Sequence, residues 1–287
     1  MARIDVKKTW KLYIGGAFPR SESGRSYVVE DAKGKHLANA SQASRKDARD
    51  AVVAARKAFG GWSSRTAYNR GQVVYRIAEV LEGRRDQFVA ELRAAQGLSA
   101  AKAGASVDAA IDRLVWYAGW ADKITQVTGN ANPVAGPYFN LSSPEPTGVV
   151  AVVAPVDPLL GLVSLVAPVI TTGNTCVVVA SEPHPLTSIT LGEVMATSDL
   201  PGGVVNVLTG SVAEIAPWLA SHMDVNGIDL TGVADPDLAT SLEVAAADNL
   251  KRVRRAPAAA VDWLETPGID RMTDWLEQKT VWHPVGI

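Results

Sequence analysis

GVVAVVAPVDPLLGLVSLVAPVITTGNTCVVVAS, residues 148–181, reads as strand, helix, strand. Its two valine-rich runs, GVVAVVAP (148–155) and TCVVVAS (175–181), are apolar at successive positions rather than at alternate ones. A strand covered on one face alternates, whereas a strand covered on both faces does not, and such strands belong to parallel sheets. Between them Leu159 to Thr171 is long and apolar enough for the crossover helix, with Pro168 placed awkwardly inside it. Downstream the rhythm repeats. Pro185 to Thr197 reads as a helix stopped by Pro201-Gly202-Gly203, and VVNVLT (204–209) as a third strand. Val212 to Ser221 follows as a helix, NGIDLT (226–231) as a fourth strand and Asp237 to Asp248 as another helix. Strands and helices alternating over short connections predict an α/β fold with a Rossmann-like, doubly wound parallel sheet.

Working outward, the N-terminal part is built differently. WKLYI, Gly15-Gly16 and AFPR read as one hairpin, and RSYVVE, Ala32-Lys33-Gly34 and KHLANAS as another. Ser44 with Asp47 is a capping-box start for a helix carrying Ala48, Ala51, Val52, Ala55 and Phe59, which Gly60-Gly61 should end. Apolar spacing marks a second helix (Val73, Val74, Ile77, Val80, Leu81), a third (Phe88, Val89, Leu92) and a fourth over Ser106 to Gln126. GNANPVAGPYFNLSSPEPTG (129–148) is an excursion, rich in Gly, Pro, Asn and Ser around an extended YFNL. After the last helix the pattern fades into an Ala/Pro-rich stretch, consistent with a flexible linker. A short amphipathic helix (Ile269, Met272, Trp275, Leu276) and an extended KTVWHPVGI complete the sequence.

Composition excludes several functions. Among 287 residues, 47% are hydrophobic, and 28 basic against 30 acidic side chains leave a net charge of −2. That balance offers no electrostatic case for nucleic acid or an anionic membrane as partner. The start, MARIDVKKTWKLYI, lacks a signal peptide's apolar run, and Val149 to Ile170 is broken by Pro155, Asp157, Pro158 and Pro168, so a soluble cytoplasmic protein is expected. A single cysteine excludes an internal disulfide.

A parallel sheet binds ligands beyond the carboxyl ends of its strands. The loops there, APVDPLL, ASEPHPL, TGSVAEIA and TGVADPD, contain neither GxGxxG nor GxxxxGK[ST]. Gly210 and Gly232 are explained by turns alone. Cys176 lies inside a strand and reads as an inert core thiol. His36, His184, His222 and His283 are scattered without metal-ligand spacing, and only His184 is well placed for a site. Glu182 could accept from a ribose, or simply open a helix. Lys251, Arg252, Arg254 and Arg255 read as a solvated edge. Trp116 and Trp120 share a helical face and look like core, whereas Trp275 and Trp282 fit an interface anchor.

Taken together, KLYIGGAFPRSESGRSYVVEDAKGK, ARDAVVAARKAFGGW, LVWYAGWADKI, EPTGVVAVVAP, TTGNTCVVVASEPHPLT, LPGGVVNVLTG and DLTGV resemble the aldehyde dehydrogenase superfamily from residue 10 to about 250. The resemblance implies a nicotinamide-dinucleotide domain, a catalytic domain and a small oligomerisation hairpin, whose place YFNLSSPEP occupies. It divides the chain into an N-terminal strand and helix part (1–128), the hairpin (129–148) and the βαβ part (149–256). A linker standing in for the catalytic domain (257–268) and a C-terminal helix and strand that complete the hairpin (269–287) follow.

The departures from the family pattern are as informative. KRVRRAPAAAVDW (251–263) reaches neither the family's general-base Glu nor its downstream thiol, and no cysteine follows Cys176, so no catalytic residue is assigned. Where the family has Pro-Trp-Asn, this chain has Pro155, Val156 and Asp157, and a carboxylate opposes the oxyanion an amide would stabilise. The family's Lys-Pro-Ser-Glu becomes Val179, Ala180, Ser181 and Glu182, losing a cation worth roughly 1.5–3 kcal/mol. Its Gly-Ser-Thr-x-x-Gly helix start becomes Gly232, Val233, Ala234, Asp235, Pro236 and Asp237, two carboxylates where a diphosphate would sit. Ser181, Glu182, Gly210 and Gly232 are therefore expected to be vestiges of an NAD or NADP site that no longer binds tightly, and no metal is expected.

LEQKTVWHPVGI resembles the family's own C-terminal strand, which joins the hairpin. The implied function is a non-catalytic subunit that joins a complete aldehyde dehydrogenase subunit through residues 137–148 and 276–287. The competing readings are a residual NAD(P)-dependent aldehyde oxidoreductase, a dinucleotide-binding sensor module and a free-standing homo-oligomer.

Overall fold

The computed structural model describes residues 8–286, so parts of the first and last segments quoted above (1–7 and Ile287) lie outside the described residues. The chain runs β1 (Thr9–Trp10), β2 (Ser26–Glu30), β3 (His36–Ser41), α1 (Arg45–Ser63), α2 (Ala67–Gly83), α3 (Arg85–Gln96), α4 (Ala100–Trp120) and α5 (Ile124–Thr128). It continues through β4 (Asn130–Asn132), β5 (Tyr138–Pro146), β6 (Val149–Val153), α6 (Leu160–Thr171), β7 (Thr175–Val179), α7 (Pro185–Ala196), β8 (Val205–Leu208) and α8 (Val212–Ser221). The last elements are β9 (Gly227–Leu230), α9 (Pro236–Ala247), β10 (Arg252–Arg255), α10 (Asp270–Thr273) and β11 (Leu276–Pro284).

The five-stranded sheet, ordered β10-β9-β6-β7-β8, is parallel throughout. Its successive apolar positions divide between two cores. Val150, Val152, Cys176 and Val178 face α2, α3, α4, α6 and α7, whereas Val149, Ala151, Val153, Val177 and Val179 face α1, α8 and α9. This is the doubly wound arrangement that the unbroken runs imply. Beyond β8, Tyr13 pairs antiparallel with Val207 through N–H···O bonds of 2.9 and 2.6 Å, and Ile14 pairs with Ala17 across the Gly15-Gly16 turn. Two three-stranded sheets, β1-β3-β2 and β11-β5-β4, complete the architecture.

Several expectations are corrected. Helix α1 does not end at Gly60-Gly61 but runs through both to Ser63, where Trp62 is buried and donates its indole N–H to the Ile170 carbonyl at 2.9 Å. The capping box at its start does form. Asp47, itself buried, also accepts from Ser21 and from the Glu22 amide, so one side chain starts α1 and holds the strand-rich segment before it.

The supposed solvated edge is a fifth parallel strand, β10, whose arginines pair with Glu277, Asp274 and Glu243. Trp275 is no interface anchor: it is 1% exposed, and its ring covers Gly227, where a Cβ would come within 2.7 Å of it. Trp282 stays exposed, and Trp116 and Trp120 are only half-buried. The stretch 257–268 has no helix or strand, yet it is docked rather than free. Arg113 donates to the carbonyls of Trp263 and Glu265 at 2.7 and 2.8 Å, and Trp263 packs half-buried on the core.

The excursion and the tail meet as the resemblance implies. β11 pairs antiparallel with β5 in continuous register from Leu276↔Pro146 to Pro284↔Tyr138. Asn174 fixes this sheet to the body. Its amide accepts from the Gly148 N–H at 2.7 Å and donates to the Trp275 carbonyl at 2.9 Å.

Candidate functional site

In the order β10-β9-β6-β7-β8 the chain reverses direction across the sheet between β6 and β9, so the crevice beyond their carboxyl ends is the topological switch point. The turns that leave these strands carry the residues singled out above, and they fall into two groups.

The first group lies beyond β7 and β8. Glu182 Oε2 accepts the Val212 N–H at 3.2 Å, so the carboxylate serves the first turn of α8. Tyr27, from β2, donates its hydroxyl to the Glu182 carbonyl at 3.4 Å, and burial and the Glu182 charge push its pKa far up. Gly210 has φ +133°, and a Cβ there would meet the Ala43 amide at 3.2 Å. Ser181 is buried, and among the described residues neither its Oγ nor His184 Nδ1 has a hydrogen-bond partner. Burial lowers the His184 pKa, so the imidazole is neutral at physiological pH.

The second group lies across β6. Gly232 backs onto the end of that strand, where a Cβ would sit 2.1 Å from the Ala154 carbonyl oxygen. Close approach of two strand ends thus requires this glycine whether or not a ligand binds. The structure therefore brings Ser181, Glu182 and Gly210 together and sets Gly232 apart from them.

A dinucleotide's diphosphate needs free N–H groups and a positive field at a helix start. At α9, Asp235 caps the helix by accepting the Asp237 N–H at 2.9 Å, Pro236 has no N–H to offer, and Asp237 adds a second carboxylate to the first turn. These residues do not fit a diphosphate. Nor does the β6 end offer an oxyanion donor on a side chain. Val156 is exposed, and Asp157 Oδ1 accepts the Leu159 N–H at 3.1 Å at the start of α6. Trp263 covers that start, lying 3.2 Å from where a Gly161 Cβ would be.

Cys176 is fully buried in β7, and burial pushes its thiol pKa far above the ordinary range, so it forms no thiolate nucleophile in the folded protein. Among the described residues no three His, Cys, Asp or Glu side chains cluster to hold a metal ion, and no helix is long and apolar enough to cross a membrane. Sequence reading missed Tyr27 and Arg113. The alternation of SYVVE was visible, but nothing local shows that Tyr27 reaches the loop after β7.

The family model described as the aldehyde dehydrogenase family matches residues 18–256. Cytosolic aldehyde dehydrogenase 1 of Elephantulus edwardii is 33% identical over 263 residues, covering 88% of this chain and 51% of that protein. Retinal dehydrogenase 2 of Gallus gallus is 34% identical over 260 residues, covering 87% of this chain and 48% of its own. Among solved structures, the NAD+ complex of an aldehyde dehydrogenase from Bacillus cereus matches with a TM-score of 0.81 at 26% identity, over 86% of this chain and 50% of that one. A betaine aldehyde dehydrogenase from Staphylococcus aureus, a point mutant in complex with NAD+, matches at 0.80 and 27%, over 85% and 49%. The chain spans about half the length of the curated relatives it matches.

Proposed function

This chain belongs to the aldehyde dehydrogenase family, and on that premise we propose that it is a non-catalytic subunit. In this reading it assembles in the cytoplasm with a complete NAD(P)-dependent aldehyde dehydrogenase and stabilises or regulates it. The observation that carries the reading is the direct passage from β10 to β11. Residues 256–275 span it with one four-residue helix, at the place where the family resemblance puts a catalytic domain. The same twenty residues hold neither a cysteine nor a histidine. The buried Cys176 and the carboxylate-capped α9 point the same way, against covalent chemistry and against tight dinucleotide binding.

The partner would be met by the outer sheet. Tyr138, Phe139 and Leu141 of β5 and Val281 and Trp282 of β11 are exposed, and among the described residues β11 stands at the sheet's edge with its other side unpaired. An exposed strand edge beside apolar side chains invites strand addition by another chain. Residues 137–148 and 276–287 are the proposed contact.

Co-expression with a full-length homologue, followed by size-exclusion chromatography with light scattering, should yield a stable mixed complex. A monodisperse homo-oligomer indifferent to the homologue would count against the proposal. The isolated chain should produce no NADH from aldehydes and NAD+, and calorimetry should detect no micromolar NAD(P) binding. Turnover would establish a residual oxidoreductase, and binding without turnover a sensor module.

A further inference from the structure

The docked stretch after β10 encloses something besides core. Most of residues 261–271, among them Trp263 and Arg271, line a pocket of about 160 Å³ with Arg113 and Tyr117 of α4 and Arg254 of β10. Since a water molecule occupies about 30 Å³ of liquid, the space suits a small ion with a few waters.

Its donors are unusually short of acceptors. Arg113 is 8% exposed, and its guanidinium donates to Ser164 Oγ at 2.8 Å and to the Trp263 and Glu265 carbonyls, which are neutral oxygens. A buried cation held only by neutral dipoles gains strongly from an anion. Arg254 pairs with Asp274, yet its Nε is buried with no partner among the described residues. Arg271 pairs through one Nη with the buried Asp229 at 3.0 Å and stacks over Trp263, leaving its remaining N–H groups unengaged among the described residues. Tyr117, a residue only 1% exposed, also lines the pocket.

Acidic side chains are present too. Asp229 and Asp274 are already paired, and Asp262, Glu265 and Asp270 lie on the exposed rim. Burial raises the Tyr117 pKa, and the guanidiniums of Arg113, Arg271 and Arg254 pull it the other way. Three guanidiniums thus line the interior, and the three carboxylates of the lining stand at its solvent-facing rim.

We propose that this pocket binds a small oxyanion, a carboxylate or a phosphate, held by Arg254, Arg271 and Tyr117 above the buried charge of Arg113. Planar guanidinium forks match such oxygens, and a phenol supplies one further donor. The bound ion would also tie residues 261–271 to α4 and β10. This site is independent of the assembly reading, and either can fail without the other.

The test is calorimetric titration of the full chain with sodium phosphate and, separately, sodium acetate, against sodium chloride at matched ionic strength. Saturable one-site binding of phosphate or of acetate is expected, and which of them binds distinguishes the two sources. Tyr117→Phe and Arg254→Gln should each weaken it roughly tenfold or more. Neither change removes the Arg113 anchor or the Arg271–Asp229 pair, and circular dichroism should confirm that both variants fold. Heats indistinguishable from chloride, or binding unchanged in both folded variants, would overturn the site.

Discussion

Glu91 shows how one side chain can work against the fold that holds it. Its Oε1 accepts from Gln87 at 3.0 Å and Thr190 at 2.9 Å, while Oε2 is buried with no partner among the described residues. Burial raises its pKa, outweighing the hydrogen bonds from Gln87 and Thr190 and the charge of Arg84. The folded state thus holds this proton more tightly than the unfolded chain does. Stability is full below the ordinary carboxyl pKa and falls as pH rises through the shifted value. Glu91→Gln should therefore raise the unfolding free energy read from urea denaturation at about pH 8 by roughly 1 kcal/mol, and do little near pH 4. Cys176 makes a second expectation at this scale: a thiol reagent should leave it untouched in the native protein and label it fully in denaturant. Its inertness was legible in the sequence, because a cysteine within a doubly apolar strand has no route to solvent. The unpartnered oxygen of Glu91 was not, since it depends on where α7 packs against α3.

At the scale of elements, the joint between the two sheets rests on Trp275 more than on the charged pairs around it. Arg252 grips Glu277 with two bonds of 2.7 Å, but both side chains are well exposed, and such a pair contributes at most about 1 kcal/mol. Trp275, by contrast, fills the space over Gly227, and its carbonyl receives the Thr147 and Asn174 amides. Trp275→Ala should cost about 3–5 kcal/mol in urea unfolding, whereas Arg252→Ala should cost under about 1 kcal/mol. The parallel strands β6 to β9 and their helices were readable because burial on both faces leaves unbroken apolar runs. β10 was not, because RVRR at a sheet edge carries the composition of a surface. Its strand character comes from pairing with β9 and from acids contributed by α9, by the residue after α10 and by β11, partners separated from it in sequence. The docking of 257–268 escaped notice for the same reason, as Arg113 lies far upstream.

For the whole molecule, the assembly reading makes a demand that separates folding from association. Trp282 and Val281 are 57% and 50% exposed on β11, so neither belongs to the core of the isolated chain. Trp282 touches Tyr138 edge-on at 5.6 Å across the β5–β11 pair, a contact worth about 1 kcal/mol. Replacing both residues, Val281→Asp with Trp282→Ala, should therefore lower the stability of the chain only modestly, by roughly 1–2 kcal/mol. If a complete aldehyde dehydrogenase subunit seats on this sheet, the same two changes remove an aromatic anchor and bury an unpaired carboxylate at the contact. Affinity for the homologue should then fall by roughly a hundredfold or more. Light scattering of the co-expressed pair reads association, and urea unfolding of the variant alone reads folding. A double variant that folds normally and still co-purifies with the homologue in full would exclude this sheet as the contact, leaving the partner to bind elsewhere or not at all. Loss of the complex together with a collapsed fold would instead mean that the outer sheet is part of the structural core, contrary to the exposure of its side chains.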